Sequence, residues 1–240
     1  LWVLFTVNID GRAELRMVRT DGQDMQTLYC TPPHGTIFGT QWSFDQRFAV
    51  FNVGPGKPTL YFLVTASGKL QPMLVPQAAL GYLPRTWLDA THVYLVGYPL
   101  NTQSNAIDLV HNIYILDIQK GANQHDKDLQ LAATTPQTCW NFDTNYDSTL
   151  LFLSKCTDTG TGSVKSNGPS TITSRPTTGG TETPLYSSFH AVTAIRTVTE
   201  TDILMLIENT DGDTSQNGLW KIKTDGSGLT QLTSDTNDTQ

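Results

Sequence analysis

A pair of short apolar-alternating segments around a Gly-containing turn recurs along this chain of 240 residues. Clear copies are LRMVRTDGQDMQTL at 15–28, LYFLVTASGKLQPML at 60–74 and LWKIKTDGSGLTQLT at 219–233. Alternation places successive side chains on opposite faces of a strand, and a Gly turn between two such runs predicts a β-hairpin. A hairpin repeated at near-regular intervals predicts a repeat architecture, so the repeat has to be explained before any single residue.

A second signature marks the start of three units: a Trp, a polar turn holding Asp, and then a strongly apolar strand. The signature occurs as QWSFDQRFAVFNV at 41–53, RTWLDATHVYLVGY at 85–98 and CWNFDTNYDSTLLFLS at 139–154. The unit at 189–233 opens without its Trp. Trp42, Trp87 and Trp140 are 45 and 53 residues apart. The Asp residues are Asp45, Asp89 and Asp143, and we expect them to bond the main chain of their own turns. A ring of catalytic carboxylates is the alternative interpretation of these three residues.

Each complete unit therefore contains four short strands. Four-stranded units of forty to fifty residues are typical of β-propeller blades, in which neighbouring sheets cover each other's apolar faces. We predict an all-β fold, a single β-propeller domain over residues 1–240 with four-stranded antiparallel blades. The predicted repeats cover 1–31 (partial), 35–76, 80–133, 137–188 and 189–233. One degenerate hairpin is expected within 170–188, with Gly179 and Gly180 at its turn.

The two signatures together resemble the TolB-type propeller repeat, also called the WD40-like PD40 repeat. The resemblance rests on WSFDQRFAVF at 42–51 and on LWKIKTDGSGLTQLT at 219–233, although the Pro usual in the family's W-S-P-D-G turn is absent. It implies a propeller, usually closed with six or more blades. The sequence leaves open whether this ring has five blades or is a six-bladed TolB-like ring.

Composition excludes some partners. The net charge of −7 and the isoelectric point near 5.0 argue against nucleic acid or an anionic membrane as partner. No apolar run reaches the eighteen or so residues of a membrane span, and LWVLFTVN at the start fits the repeat as a strand, so no membrane insertion is expected. The chain does not begin with Met, and we expect it to be part of a longer protein. Low Lys content and the resemblance to periplasmic relatives predict an extracytoplasmic location.

Cysteine usage gives one further structural expectation. Cys139 and Cys156 flank two strands of one unit. The sequence leaves open whether they form a disulfide or are two buried thiols. Cys30 lies in a different unit. No zinc-type spacing of Cys or His is present.

Three long polar segments join the second and third strands of their units: 101–112, 157–170 and 209–218. Equivalent connections project from the same rim of a propeller, so they predict a shared binding face. Tolerated insertion is the alternative explanation. The candidate binding residues are Asn105, Asp108, His111, Asn167, Asp211, Asp213 and Asn217.

The last of these loops also resembles half of a calcium-binding loop. Asn209, Asp211, Asp213 and Ser215 place oxygen atoms at alternate positions, although the closing Glu of an EF-hand is absent. Ordinary turn chemistry is the competing explanation of this Asp/Asn/Gly cluster. Calcium is the one cofactor that the sequence suggests.

No Ser-hydrolase elbow, Walker motif or dinucleotide glycine pattern is present. We therefore predict a non-catalytic binding or sensing module, with a protein, peptide or glycan ligand at one rim. The alternative is a propeller hydrolase or lyase acting on glycans or peptides, which predicts at least two carboxylates, or a carboxylate–His pair, converging in the central channel with perturbed pKa values. A purely structural scaffold is the third hypothesis.

Overall fold

A computed structural model describes residues 1–54, 59–76, 80–99, 111–135, 141–156, 169–208 and 213–234. It consists of two compact units, unit 1 (Leu1–Asp108 and Asn112–Thr134) and unit 2 (Leu109–His111 and Thr135–Gln240). The described residues form nineteen β-strands and two short 3₁₀ turns, Ile118–Lys120 and Asp126–Asp128, with no α-helix among them. In the same residues, no helix has the length and apolar character needed to cross a membrane.

The strands have the following bounds: β1 Trp2–Ile9, β2 Arg12–Arg19, β3 Gln26–Cys30, β4 Thr36–Trp42, β5 Phe48–Gly54, β6 Thr59–Val64, β7 Lys69–Leu74, β8 Leu80–Trp87, β9 His92–Pro99, β10 His111–Asp117, β11 Gln130–Thr135, β12 Phe142–Thr144, β13 Leu150–Cys156, β14 Ser170–Pro176, β15 Thr183–Ser188, β16 Val192–Thr197, β17 Asp202–Ile207, β18 Gly218–Lys223 and β19 Thr230–Gln231. Within each sheet, the strands that pair are neighbours in sequence and run antiparallel, as β1 with β2, β13 with β14 and β5 with β6.

The strands form five sheets in chain order. Sheet 1 contains β1–β3, and the next four sheets contain β4–β7, β8–β11, β12–β15 and β16–β19. The predicted all-β class with four-stranded antiparallel units is confirmed by this order. The hairpin expected within 170–188 is also present, since β14 and β15 pair around the turn that contains Gly179 and Gly180. Both glycines have positive φ, a conformation that costs other residues free energy.

In unit 1, the apolar run of β5 is explained by burial of both faces of sheet 2. Ala49 and Phe51 pack with Leu15 of sheet 1, whereas Val50 packs with Trp87 and Leu95 of sheet 3. A strand buried on both faces cannot alternate apolar with polar residues, and this is why FAVF is continuous. Burial of a Val, Leu or Phe side chain such as these contributes about 1.5–3 kcal/mol.

Unit 2 repeats this arrangement with two sheets. Phe152 of β13 packs against Ile195, Met205 and Ile222 of sheet 5, and all four side chains are buried. On β17 the buried residues alternate with half-buried ones, so one face of sheet 5 covers sheet 4. The core of unit 2 therefore lies between the facing sides of sheet 4 and sheet 5.

Hydrogen bonds between sheets fix the direction of the first strands in unit 2. The side-chain amide of Asn141 donates to the Thr193 carbonyl, and the Thr197 N–H donates to Asp143 Oδ2 at 2.9 Å. Because both pairs advance in the same sense along the chain, β12 and β16 run parallel. The tight turns that follow β12 and β16 therefore lie at the same end of unit 2, which we call the hairpin end. Strands β16 and β18 both begin at the opposite end of the unit, which we call the loop end.

Asp45 and Asp89 lie in hairpin turns, as predicted. Asp45 Oδ1 accepts the Arg47 N–H at 3.1 Å, and Asp89 Oδ1 accepts the Thr91 N–H at 2.7 Å. Such bonds to a main chain two residues on are the Asx-turn geometry that the sequence indicates. These two carboxylates therefore shape turns.

The same prediction was wrong for Asp143. This residue lies in β12, buried, where its carboxylate accepts the Thr144 and Thr197 N–H groups at 3.0 and 2.9 Å. The turn carboxylate of that unit is Asp147, which accepts the Thr149 N–H at 3.1 Å. The signature NFD at 141–143 matches the repeat four residues too early, because the hairpin pairing begins at Asn145 and Leu150.

The Trp positions follow the same shift. Trp42 and Trp87 occupy equivalent places, each ending the first strand of its sheet opposite Ala49 and Val93. In sheet 4 the equivalent residue is Thr144, whereas Trp140 lies outside the described residues. Cys139 and the side chain of Cys156 also lie outside them, so the disulfide stays a prediction. Cys30 is an exposed free thiol.

Candidate functional site

Three of the sequence-predicted site residues, Asp213, Ser215 and Asn217, lie together in the connection between β17 and β18, at the loop end of unit 2. His111 begins β10, but its side chain is not among the described ones. The remaining candidates lie outside the described residues: Asn105, Asp108, Asn167, Asn209 and Asp211. The structure therefore describes one part of the proposed rim.

Asp213 organises the described part of this connection. Its Oδ1 accepts the Ser215 N–H at 2.9 Å, and the Asn217 N–H donates to the Thr214 carbonyl at 2.9 Å. The side-chain and main-chain hydrogen bonds from Ser215 hold the pKa of Asp213 below its usual value. Asp213 therefore presents a carboxylate in a loop whose turns are closed by its own hydrogen bonds.

His190 faces this carboxylate from the connection that enters β16. Its Nε2 lies 3.8 Å from Asp213 Oδ2, and its side chain is only 8% exposed. The attraction of His190 also contributes to the lowered pKa of Asp213. The pair joins two connections that are more than twenty residues apart in sequence.

Buried serines fix the position of His190. The His190 N–H donates to Ser188 Oγ at 3.0 Å, and the Val192 N–H donates to Ser170 Oγ at 2.9 Å. Both serines are buried, so their hydroxyls satisfy main-chain donors that would otherwise lack partners in the core. The main chain at His190 and at Val192 is therefore anchored to buried hydroxyl groups of sheet 4.

Phe189, the residue before His190, is 91% exposed. A single exposed apolar residue is ordinary on a protein surface. The position of Phe189 is informative because the next residue, His190, is buried, has its main-chain N–H bonded to Ser188, and pairs with the carboxylate of Asp213. An exposed aromatic side chain that a partner can cover is a candidate anchor for a recognition surface.

We call Phe189, His190 and Asp213 the loop-end cluster. Its exposed groups are the Phe189 ring and the Asp213 carboxylate, which can contact an apolar and a cationic group of a ligand, whereas the imidazole of His190 is buried. Within the described residues, no three or more His, Cys, Asp and Glu side chains form a group that could hold a metal. The calcium prediction remains a prediction, since two of its four residues are not described.

Sequence reasoning missed Phe189 and His190 as site residues. The available signal is the dipeptide FH directly before the apolar-alternating AVTAIRT segment. That signal is weak, because a lone His near a strand is more often a core residue. The burial of His190 beside an exposed aromatic neighbour becomes visible only in three dimensions.

No family model matches this chain, and no curated protein matches it. Solved structures do. TolB from Acinetobacter baumannii is 12% identical, with a TM-score of 0.68 over 97% of this chain and 53% of that one. The chain thus spans about half the length of that TolB. A puromycin hydrolase is 13% identical, with a TM-score of 0.69 over 96% of this chain and 37% of that one.

An oligogalacturonate lyase, solved in complex with manganese, is 11% identical with a TM-score of 0.61, over 100% of this chain and 75% of that one. At such low identities, the likeness concerns the fold and not the chemistry. In this fold, the five antiparallel sheets are the blades of a propeller. The chain has a TolB-like β-propeller fold.

Proposed function

We propose that this chain is a non-catalytic binding module that recognises a protein or peptide through the loop-end cluster of unit 2. The observation that carries the proposal is the exposed side chain of Phe189, next in sequence to the buried His190, together with the exposed carboxylate of Asp213 that pairs with His190. Aromatic anchors contribute a large share of binding free energy when a partner covers them, and nearby polar groups fix the orientation of the partner.

The uses of the other carboxylates support a non-catalytic role. Asp45, Asp89 and Asp147 accept main-chain N–H groups in their own turns, and Asp143 bonds the neighbouring first strand. A hydrolase that relies on paired carboxylates needs them to face one substrate bond. Among the described residues, these four carboxylates serve turns and sheet contacts instead.

The proposal is tested by selecting peptides from a random twelve-residue display library on the immobilised chain. Binding of the enriched peptides is then measured with wild type, Phe189→Ser and Asp213→Asn. We expect Phe189→Ser to weaken binding at least tenfold, because it removes the apolar anchor, and Asp213→Asn to weaken peptides that carry Lys or Arg.

Tyr146→Ser provides the matched control. Tyr146 is also an exposed aromatic of unit 2, at 69%, but it lies in the β12–β13 turn at the hairpin end. Its replacement should leave the affinity within about twofold of wild type. Equal losses for Tyr146→Ser and Phe189→Ser, or a selection that enriches no peptide, would refute recognition at the loop end.

The enzymatic alternative is favoured by the resemblance of the fold to a lyase and a hydrolase, and by the pairing of His190 with Asp213, a carboxylate–His pair of the kind that it predicts. It is tested by incubating the chain with oligogalacturonate and Mn²⁺ and following the absorbance of unsaturated products, and by assaying dipeptide amides for hydrolysis. Turnover that is lost in His190→Ala would replace the binding proposal with a catalytic one.

Calcium is proposed as an accessory ion of the β17–β18 connection, with Asn209, Asp211, Asp213 and Ser215 as its ligands. A ligand that binds only the native state raises the melting temperature. We expect CaCl₂ to raise the melting temperature of wild type and EDTA to reverse this rise. Asp213→Asn should abolish the rise. An unchanged melting temperature across millimolar CaCl₂ would dismiss the site.

We also propose an extracytoplasmic location. The low Lys content and the abundance of Thr, Asn and Gln fit an exported protein, as does the likeness to TolB structures. Fractionation of the native host followed by immunoblotting provides the test. Recovery of the full-length protein in the cytoplasmic fraction would contradict this location.

A further inference from the structure

Three Asp-Gly dipeptides lie within the described residues, each in a tight turn between neighbouring strands. They are Asp10–Gly11 between β1 and β2, Asp21–Gly22 between β2 and β3, and Asp225–Gly226 between β18 and β19. The dipeptide is the same in all three places. Differences in its chemistry therefore come from the turns that hold it.

An Asp-Gly dipeptide rearranges more readily than other Asp dipeptides, because Gly has no Cβ to shield its main-chain nitrogen. That nitrogen attacks Cγ of the uncharged Asp carboxyl group. A C–N bond forms and a C–O bond breaks, and the amide hydrogen leaves with the hydroxyl group as water. The product is a five-membered succinimide ring.

Water then opens the ring at one of its two carbonyl groups. Opening on one side restores Asp, and opening on the other gives isoaspartate, in which the main chain runs through Cγ. The net change is an isomerisation that needs no reactant besides water. Ring closure requires that the Gly nitrogen leave any hydrogen bond it makes and that the Asp side chain turn onto it, so bonds at either group slow the reaction.

The turn at Asp21 restrains both groups. The Gly22 N–H donates to the Arg19 carbonyl at 2.8 Å. The Asp21 carboxylate accepts the Gln23 N–H at 3.0 Å and pairs with the Arg19 guanidinium. Ring closure at Asp21 therefore has to break these bonds first.

The turn at Asp225 has the same construction. The Gly226 N–H donates to the Lys223 carbonyl at 2.9 Å, and Asp225 Oδ1 accepts the hydroxyl and the N–H of Ser227 at 2.7 and 2.9 Å. The bonds from Ser227 hold the pKa of Asp225 below its usual value, which lowers the fraction of the uncharged carboxyl group that reacts. A Cβ at Gly226 would lie 2.5 Å from the Leu185 carbonyl oxygen, so this turn also packs against sheet 4.

The turn at Asp10 differs from both. Asp10 and Gly11 form a two-residue connection with φ values of 49° and 73°, both positive as in a type I′ turn. In the part of the chain that the structure describes, the Asp10 carboxylate makes no hydrogen bond or ion pair, and the Gly11 N–H donates to no acceptor. Both residues are exposed, and a Cβ at Gly11 would meet no atom within 4 Å.

We propose that Asp10 is a site at which this chain isomerises spontaneously to isoaspartate, ahead of Asp21 and Asp225. The succinimide forms between Asp10 Cγ and the Gly11 nitrogen. Isoaspartate adds one carbon atom to the main chain of a turn whose geometry fits two residues. The Gly11 carbonyl accepts the His34 N–H at 2.7 Å, so the added atom also disturbs the bond between this turn and the connection that enters β4.

The test incubates the full chain in water enriched in heavy oxygen at mildly acidic pH. Hydrolysis of a succinimide incorporates a heavy oxygen atom at the residue that formed the ring. Trypsin cleaves after Arg12, Arg19 and Lys223, and so places the three dipeptides in different peptides. Mass spectrometry with electron-transfer fragmentation then measures the label and the isoaspartate at each of them.

In the folded chain, label and isoaspartate should accumulate at Asp10 about threefold faster, or more, than at Asp21 and Asp225. In concentrated urea the three rates should lie within about twofold of each other, because the bonds of the turns are lost. A folded rate at Asp10 equal to or below that of another of these sites would overturn the proposal. So would an excess at Asp10 that persists in urea, since the local sequence and not the turn would then cause it.

Two variants separate the restraint on the Gly nitrogen from the charge of the carboxylate. Asp10→Asn keeps the turn, because Asn adopts positive φ as Asp does, and it closes the same ring with loss of ammonia instead of water. Asp225→Asn is the matched variant, whose Gly226 N–H still has the Lys223 carbonyl as acceptor. Isoaspartate should form faster in Asp10→Asn than in Asp225→Asn, and the reverse order would contradict the assignment of Asp10.

Discussion

The Ser154 hydroxyl on β13 donates to the main-chain carbonyl of Val192 on β16 at 3.2 Å. The equivalent bond in unit 1 runs from the Asn52 side-chain amide on β5 to the Tyr82 carbonyl on β8. Ser154 and Asn52 occupy the same position of their hairpins and are buried. A buried polar residue on the second strand thus links each of these sheets to the first strand of the next sheet in its unit.

Ser154→Ala should lower the free energy of unfolding by about 1 kcal/mol, because a net intramolecular hydrogen bond contributes that much and the buried carbonyl loses a donor. Urea denaturation followed by circular dichroism provides the measurement. Ser187→Ala is the control, since Ser187 is exposed on β15 and has no side-chain bond among the described residues. Equal urea midpoints for Ser154→Ala and Ser187→Ala would contradict a stabilising role of the Ser154 hydroxyl.

Tyr82→Phe should destabilise the chain by about 2 kcal/mol. Burial, the hydrogen bond to Asp126 and the charge of that carboxylate raise the pKa of Tyr82, so its hydroxyl stays protonated and donates. Without that hydroxyl, the half-buried carboxylate of Asp126 accepts one hydrogen bond fewer. The free energy of unfolding from urea titration is the measurement.

Tyr61→Phe is the matched control for this prediction. Tyr61 is half-buried and stacks on Tyr29 and Phe51, and its hydroxyl makes no side-chain hydrogen bond among the described residues. We expect a change below about 0.5 kcal/mol for Tyr61→Phe. A larger loss from Tyr61→Phe than from Tyr82→Phe would show that the Asp126 bond contributes little.

Gly97→Ala should cost about 1–3 kcal/mol, the usual penalty of overpacking. A Cβ at Gly97 would lie 2.4 Å from Tyr114 Cε2 and 3.0 Å from Tyr82 Cε1, and the two rings pack edge to face. Gly54→Ala is the comparison, because its nearest neighbour is the Thr36 hydroxyl at 3.0 Å. Thermal unfolding should show the larger loss for Gly97→Ala, and the double variant with Tyr114→Leu should recover part of it.

Glu182→Gln should change how stability depends on pH. Burial raises the pKa of Glu182, but the hydrogen bond and charge of Lys155 lower it more, so the pKa in the folded state lies below the usual 4.5. A carboxyl group with a lowered folded pKa stabilises the native state above its unfolded pKa. This stabilisation is lost as the pH falls through the folded value.

The difference in unfolding free energy between wild type and Glu182→Gln should therefore be constant above about pH 5 and shrink below about pH 4.5. Urea titrations at a series of pH values provide the measurement. Glu200→Gln is the control for surface charge, because Glu200 is exposed and makes no ion pair within the described residues. A difference that grows as the pH falls would have the wrong sign for this pair.

The sequence alone determined the class of fold. Alternation around Gly22, Gly68 and Gly226 fixes hairpins, because a period of two residues and a turn with positive φ are local properties of the chain. The turn roles of Asp45 and Asp89 are local for the same reason. The apolar FAVF run at 48–51 indicates a strand in the same way, from residues that are neighbours in sequence.

Only the tertiary structure decided the register of sheet 4 and the composition of the loop-end cluster. Asp143 and Asp147 both fit a turn motif by spacing, and the pairing of Asn145 with Leu150 selects Asp147. His190 and Asp213 lie in different connections of sheet 5, and their separation of 3.8 Å follows from where β16 and β18 lie beside β17. Sequence spacing reports contacts within a turn or a hairpin, whereas contacts between connections depend on how paired strands bring their ends together.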